Sequence, residues 1–220
     1  MARVLYVSDL HVPWEHPRAL DHLKKIRDRF KIDRVVFLGD EIDGASFSLK
    51  WSPNPDLPSP GDELELAIKH LRPFYKEFPE AEVLTSNHGM RLFKKFRVTG
   101  IPSKVVKRYE EILEFPKDWF LVDQTDIDGV LAIHGEGFSL SSWRMAHDKF
   151  KQSVVMGHIH SHAGVVYSQT KKKKFFSANF GCMINPSHVA FDYGKHLPEK
   201  PVIGSGVVID GCEAYFIPLI

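Results

Sequence analysis

The run "SVVMGHIHSHAGVV" (residues 153–166) sets His158, His160 and His162 at alternate positions directly behind an apolar stretch. Imidazoles so placed fit a solvent-facing hairpin, a structural zinc site or part of a catalytic metal centre. The company they keep narrows the choice. Asp9 and His11, Asp40 with Asp43, Asn87 with His88, and His134 each follow a short apolar run elsewhere in the chain. Carboxylates mixed with imidazoles suit Mn, Fe, Zn, Ni or Co better than Ca or Mg, which prefer all-oxygen shells. The donors outnumber one tetrahedral shell, and Cys182 and Cys212 lie elsewhere without metal-ligand spacing, so a structural zinc site is the poorer reading.

The elements that must carry these residues are legible. "RVLYVSD" (residues 3–9) and "RVVFLGD" (residues 34–40) are apolar at successive positions, as strands covered on both faces are. Between them Leu20, Leu23, Ile26 and Phe30 recur at helical spacing, which makes a β-α-β unit with parallel strands. Residues 50–62 are proline-dense and predict a long surface loop, with Trp51 in it, ending at Ser59 as N-cap and Pro60 in the first turn of a helix. Residues 81–87 and 129–135 read as further buried strands, and 104–113 as a helix. After residue 153 the chain turns to strands with little helix between them, and a lysine turn at Lys171–Lys174 and the pair Asp210-Gly211 mark hairpins.

Ligands gather beyond the carboxyl ends of strands in α/β sheets. Each polar strand end taken alone has an ordinary explanation as a turn, a cap or a satisfied core residue. Taken together they would bury many polar groups without partners, at several kcal/mol per site, about the whole stability of a domain. Bound cations would satisfy them. The sequence therefore predicts a two-metal centre, in which ions roughly 3.5–4 Å apart share a bridging carboxylate.

The 220 residues predict one domain spanning 1–220, with 43% hydrophobic and 26% charged residues and a formal charge of +1. So even a balance argues for no bulk attraction to nucleic acid or acidic ligands. The start "MARVLYVSDLH" runs straight into a strand, with no signal-like or membrane-spanning apolar stretch, and the two cysteines are expected to be buried and reduced. A cytoplasmic protein with no membrane association is the expectation.

The ordered blocks Asp-x-His, Gly-Asp-x-x-Asp, Asn-His, His-Gly and Gly-His-x-His, from Asp9 to His160, resemble the calcineurin-like metallophosphoesterase superfamily, including its compact phage and bacterial members. The resemblance implies two mixed β-sheets packed face to face with flanking helices, an αββα sandwich. It implies that Asp9, His11 and His160 hold one divalent transition metal, Mn foremost, and that Asn87, His134 and His158 hold the other, with Asp40 bridging. His88 would bind the phosphate and protonate the leaving oxygen, and Asp43 would orient His88. His162 falls outside the motif. The implied chemistry is hydrolysis by a water whose pKa two cations lower from about 15.7 towards about 7.

The chain departs from the family pattern at Ser86 and Gly89, which flank Asn87-His88, and at Gly44, where phosphoprotein phosphatases of this superfamily carry a phosphate-clamping arginine. The missing guanidinium favours a phosphodiester over a phosphomonoester dianion, with a nucleotide or nucleic acid as the substrate type. Arg91 is the candidate replacement and Arg144 a second one. The segment "RLFKKFR" (residues 91–97) interleaves charge with phenylalanine and reads either as a base-stacking surface or as an amphipathic helix burying Leu92, Phe93 and Phe96. A phosphomonoesterase on phosphoprotein or nucleotide is the alternative. A scaffold that lost its chemistry is a third reading, against which every expected ligand is present.

Overall fold

The computed structural model describes residues 1–49 and 56–220. Most of the expected proline-rich loop, Trp51 included, falls on residues 50–55 and lies outside the described residues. Strand β1 (Arg3–Val7) is buried from Val4 onward, and helix α1 (Ala19–Phe30) returns the chain to β2 (Arg34–Phe37), which pairs parallel with β1. A 3-10 turn over Ala45–Phe47 follows Asp43. Helix α2 (Pro60–Glu77) starts as expected, with Ser59 Oγ accepting from the Asp62 N–H at 3.3 Å and Pro60 in the first turn. Its Glu63 is not a solvated first-turn acid: it is buried and accepts from Ala45 N at 2.9 Å and Ser46 N at 2.8 Å. This fixes the turn after Asp43 to α2.

The chain continues through β3 (Ala81–Leu84), α3 (Arg91–Val98), α4 (Tyr109–Ile112), β4 (Trp119–Val122), β5 (Thr125–Ile127), β6 (Val130–Ala132), α5 (Ala146–Phe150), β7 (Ser153–Met156), β8 (Ala163–Gln169), β9 (Lys174–Phe180), β10 (Gly204–Ile209) and β11 (Glu213–Pro218). One sheet has the order β11-β10-β1-β2-β3-β4 and the other β5-β6-β7-β9-β8. Both are mixed. β1 to β4 are parallel neighbours with antiparallel β10 on the open edge of β1, while β6, β7 and β9 are parallel between antiparallel edges.

Alternation along each strand separates two apolar layers. Tyr6, Leu38, Val155, Phe176 and Phe180 meet between the sheets, whereas Leu5, Val7, Phe37 and Val207 face α1 and α2 through Leu23, Leu71 and Phe74. Trp143, Ala146, Val154 and Met156 cover the outer face of the second sheet. Each fully buried aromatic of this kind contributes about 1.5–3 kcal/mol relative to exposure. The expected αββα sandwich is the observed fold.

Local expectations fail in several places. Residues 104–113 do not form one helix: a 3-10 turn over Ser103–Val105 gives way to extended Val106 and Arg108, and Glu111 then closes a capping box on Arg108 before α4. Residues 91–97 are helical, but none is fully buried, and Phe93 only leans on the core while Phe96 meets its ring edge at 6.4 Å. Strands β4 and β5 went unread. The β5–β6 turn is marked by Asp128-Gly129, both at positive φ, the same signal as Asp210-Gly211. Cys182 is buried as expected, and burial pushes its thiol pKa up, but Cys212 is exposed beside the Asp210-Gly211 turn. No described helix is long and apolar enough to cross a membrane.

Candidate metal centre

Strand ends bring the expected residues together. Ser8 Oγ donates to Phe180 O at 2.8 Å and Met183 N to Asp9 O at 2.9 Å, which ties the end of β1 to the chain leaving β9. His11 N donates to Asp40 O at 2.8 Å and Val12 N to Glu41 O at 2.9 Å, joining the segments after β1 and β2. Ser86 Oγ accepts from Asp40 N at 2.8 Å and Gly89 N at 3.2 Å. The serine that departs from the family pattern is therefore a clamp between β2 and β3.

Three groups of donor atoms result among the described residues, each with all its atoms within 4.8 Å of one another: Asp9, His11, Asp40 and His160 in the first, Asp40, His134 and His158 in the second, and His11, Asp43 and His88 in the third. Asp40 links the first two, and His11 the first and third. Its Oδ2 lies 3.6 Å from His11 Nε2 and 3.4 Å from His134 Nε2. Asp9 Oδ2 lies 3.1 Å from His160 Nε2 and accepts from His158 N at 2.6 Å. Asn87 Oδ1 is 2.9 Å from His134 Nε2, which joins it to the second group.

Neighbouring acceptors set the tautomers. His134 Nδ1–H donates to Leu38 O at 2.8 Å and His11 Nδ1–H to Asp43 Oδ1 at 2.7 Å, so each ring aims its Nε2 into the cluster, where a cation can take the place of a proton. Asp43 thus serves His11 first. Its carboxylate is 3.3 Å from His88 Nδ1, and it is the Asp43 carbonyl, at 2.8 Å, that accepts from His88. Arg91 donates to Asp43 O at 2.9 Å and to His88 Nε2 at 2.8 Å. Arg144 is held elsewhere, donating to Leu140 O at 3.1 Å beside Trp143. His162 lies outside all three donor groups, its Nδ1 3.1 Å from Ser161 Oγ.

The residues fit divalent cations. Asp9, His11 and Asp40 are exposed by only 0%, 1% and 2%. Asp9 Oδ1 and His11 Nε2 are buried without a hydrogen-bond partner among the described residues, a costly state unless a cation completes it. Burial lowers the His11 and His158 pKa values, which keeps both rings in the neutral, ligating form. Burial also opposes charge on His134 and His88, but the Asp40 carboxylate outweighs it and raises both, His134 to about 10. Asp40 itself stays ionised, because His88 and His134 overcome its desolvation.

Backbone strain marks the same residues. His11, Asp40 and His158 hold positive φ of 52°, 48° and 65°, a region that non-glycine residues rarely adopt. At Gly39 a Cβ would come within 2.6 Å of Ser86 Cβ and 2.9 Å of His134 Nδ1; at Gly157 it would meet Asp9 Oδ1 at 2.2 Å. Two groups went unmarked in the sequence. Glu41, buried beside Asp40 with its pKa raised to about 7 by desolvation, accepts from the Tyr109 hydroxyl. Gly89 leaves room for that hydroxyl, which would lie 2.8 Å from a Cβ there.

No curated protein gives a match to the chain. Among solved structures it is similar to Yfce, a phosphoesterase from E. coli (16% identity, 94% of this chain and 88% of that one, TM-score 0.43). It is also similar to Vacuolar Protein Sorting 29 from Cryptosporidium parvum (13% identity, 97% and 94% covered, TM-score 0.42). A third similar structure is the Pseudomonas putida nuclease MPE (12% identity, 98% and 87% covered, TM-score 0.40). The profile of the calcineurin-like phosphoesterase family matches residues 2–182, and the chain belongs to that family.

Proposed function

We propose that the chain is a two-metal phosphoesterase that hydrolyses phosphodiesters of nucleotide or nucleic-acid type. Asp9, His11 and His160 would hold one divalent ion, Asn87, His134 and His158 the other, and Asp40 both, with Mn first among the metals. When bound, such ions supply an acidified water and offset negative charge on the phosphate. The remaining roles belong to the chain. His134 and His11 keep their Nε2 atoms aimed inward through Leu38 O and Asp43. His88, its Nε2 4.0 Å from Asp40 Oδ2 and its side chain 16% exposed, would hold a phosphate oxygen and deliver a proton to the departing one.

The diester preference rests on one observation. Among the described residues the donor cluster faces two openings, a cavity of about 810 Å³ and a smaller one of about 330 Å³, and Asn87 and His158 line both. A diester carries a substituent on either side of its phosphorus, and two openings accommodate both. The test is turnover of bis-nitrophenyl phosphate against nitrophenyl phosphate with Mn, Co, Ni and Mg. A diester preference is expected, and turnover of the monoester alone would overturn the reading.

Arg91 supports the second reading, a phosphomonoesterase. A Cβ on Gly44 would lie 3.6 Å from Arg91 Cδ, so the guanidinium arm occupies the neighbourhood where related phosphatases carry their clamp. We take residues 1–220 as one catalytic domain, since β10 and β11, beyond the family match, complete the β1 sheet. A cytoplasmic location remains the expectation from the sequence.

A further inference from the structure

The larger opening has a wall that lies outside the family match. The match ends at residue 182, and the strap between β9 and β10 then contributes Ile184, Pro186, Phe191 and Leu197 to the cavity lining. Phe138 and Leu140, from the segment after β6, supply more of it. The chamber is continuous with the donor cluster: Asp40, His88 and His158 line it, and the Phe191 ring stands 5.9 Å edge-on from His11. At its mouth Leu140 and Leu197 are left 44% and 52% exposed, large apolar side chains with an unfilled space between the walls they belong to.

Charge in the chamber is close to balanced. Lys195 Nζ pairs with Asp192 Oδ2 at 2.7 Å, and Lys200 Nζ, which keeps its charge, is turned onto Gly194 O at 3.2 Å and Lys195 O at 2.8 Å. Glu199, also in the strap lining, is negative. A second phosphate entering here would have to draw Lys195 from Asp192 or Lys200 from its two carbonyls, and would meet the Glu199 carboxylate. A neutral ring would meet apolar surface and two phenylalanines, whose faces and edges favour aromatic partners.

We propose that this chamber is the subsite for one ester arm of the substrate and takes an uncharged aromatic ring, a nucleobase or an aryl group, close to the scissile phosphate. It deepens the phosphodiester reading and rests on it. The substrate is then a small nucleotidyl or aryl ester, and a polynucleotide does not run through this side.

The test is calorimetric titration of the Mn-loaded protein with thymidine 5′-monophosphate, phenyl phosphate, methyl phosphate, octyl phosphate and a single-stranded oligothymidylate. The nucleotide or the phenyl ester should bind about tenfold or more tighter than methyl phosphate, as burial of a ring predicts. Their order tells a nucleobase site from an aryl one. Leu197→Glu should bring the ratio to methyl phosphate towards one, while Met145→Glu, exposed and outside the chamber, should keep it. Equal affinity for aromatic and methyl phosphates overturns the proposal. So does tighter binding of octyl phosphate, or an oligothymidylate that outbinds the mononucleotide irrespective of Leu197→Glu. Bis-nitrophenyl phosphate turnover on the same preparation separates the two claims: lost turnover with retained ring preference removes the diesterase reading and keeps the chamber. Retained turnover without ring preference does the reverse.

Discussion

The Arg91 guanidinium donates to His88 Nε2 at 2.8 Å while His88 Nδ1–H donates to the Asp43 carbonyl, also at 2.8 Å. An arginine cannot accept a hydrogen bond, so in this arrangement the His88 Nε2 lone pair faces Arg91, while the Asp40 carboxylate favours a proton on the same ring. A phosphate, rich in acceptors, is the natural competitor for that guanidinium. Arg91→Met is therefore expected to raise KM for nitrophenyl phosphate by about tenfold, and to raise it less for the diester, whose single charge gains less from a guanidinium fork. Steady-state KM for both substrates checks this. Unchanged values would leave Arg91 a helix-surface charge.

As the proposed acid, His88 would carry its proton at Nε2, and that proton matters most when the leaving oxygen is basic. His88→Ala is expected to keep its metal and lose roughly 10²–10⁴-fold in kcat on unactivated esters, with a smaller loss on nitrophenyl esters. Turnover of both substrate types beside metal content by mass spectrometry measures it. Equal losses on the two would count against an acid role.

Asp40 is shared by the donor group of Asp9, His11 and His160 and by that of His134 and His158. Asp40→Ala is expected to drop bound Mn well below one ion per chain, whereas His134→Ala retains about one. Chelation should also lower the melting temperature, because it leaves Asp9 Oδ1 and His11 Nε2 buried without a hydrogen-bond partner among the described residues. Metal stoichiometry and a thermal scan with and without EDTA test both. A His134→Ala protein with the same metal content as Asp40→Ala would refute a shared ligand.

Two glycines give opposite outcomes for the same change. A Cβ at Gly157 would sit 2.2 Å from Asp9 Oδ1, and Asp9 is fully buried with no room to retreat. Gly157→Ala is expected to cost about 1–3 kcal/mol in urea unfolding and to weaken metal binding roughly 10–100-fold. At Gly61, in the first turn of α2, a Cβ would meet nothing within 4 Å. Gly61→Ala should stabilise by about 0.5–1 kcal/mol.

Much of this was legible because buried parallel strands write themselves as apolar runs, and the residue after each run is where a ligand can sit. Asp9, Asp40, Asn87, His134 and His158 were all read that way. What stayed hidden is non-local or conformational. Nothing in the residue types shows that His11, Asp40 and His158 adopt left-handed backbone, or that Ser86 Oγ bridges two strand ends. Nothing in the sequence marks Glu41, and only the fold brings the Tyr109 hydroxyl to it from 68 positions away. Residues 104–113 were misread because Val106 and Arg108 are pulled into extended backbone before Tyr109 and Leu113 enter the core. Local helical preference lost to tertiary contacts.

The strap that walls the apolar chamber is anchored by a histidine acting as an acceptor. His188 Nδ1 accepts from Ala190 N at 3.2 Å, capping the 3-10 turn that carries Phe191, and its ring stacks on Trp14 at 4.0 Å. His16 Nδ1 accepts from Arg18 N at 3.1 Å ahead of α1. Both pKa values are lowered, chiefly by burial, with Arg18 adding to the effect at His16 and Asp43 and Asp192 opposing it at His188. A histidine whose folded pKa lies below its unfolded value of about 6.5 binds more protons unfolded. Its contribution is therefore complete above that value and is lost as pH falls through it towards the folded pKa. In EDTA, going from pH 7.5 to pH 5.5 should shift the urea midpoint of His188→Asn, which keeps a capping acceptor but cannot titrate, upward relative to the parent. The opposite contributions of His134 and His88 are common to both proteins and cancel from that difference. An identical pH dependence in the variant and the parent would mean that His188 takes up its proton without releasing the strap.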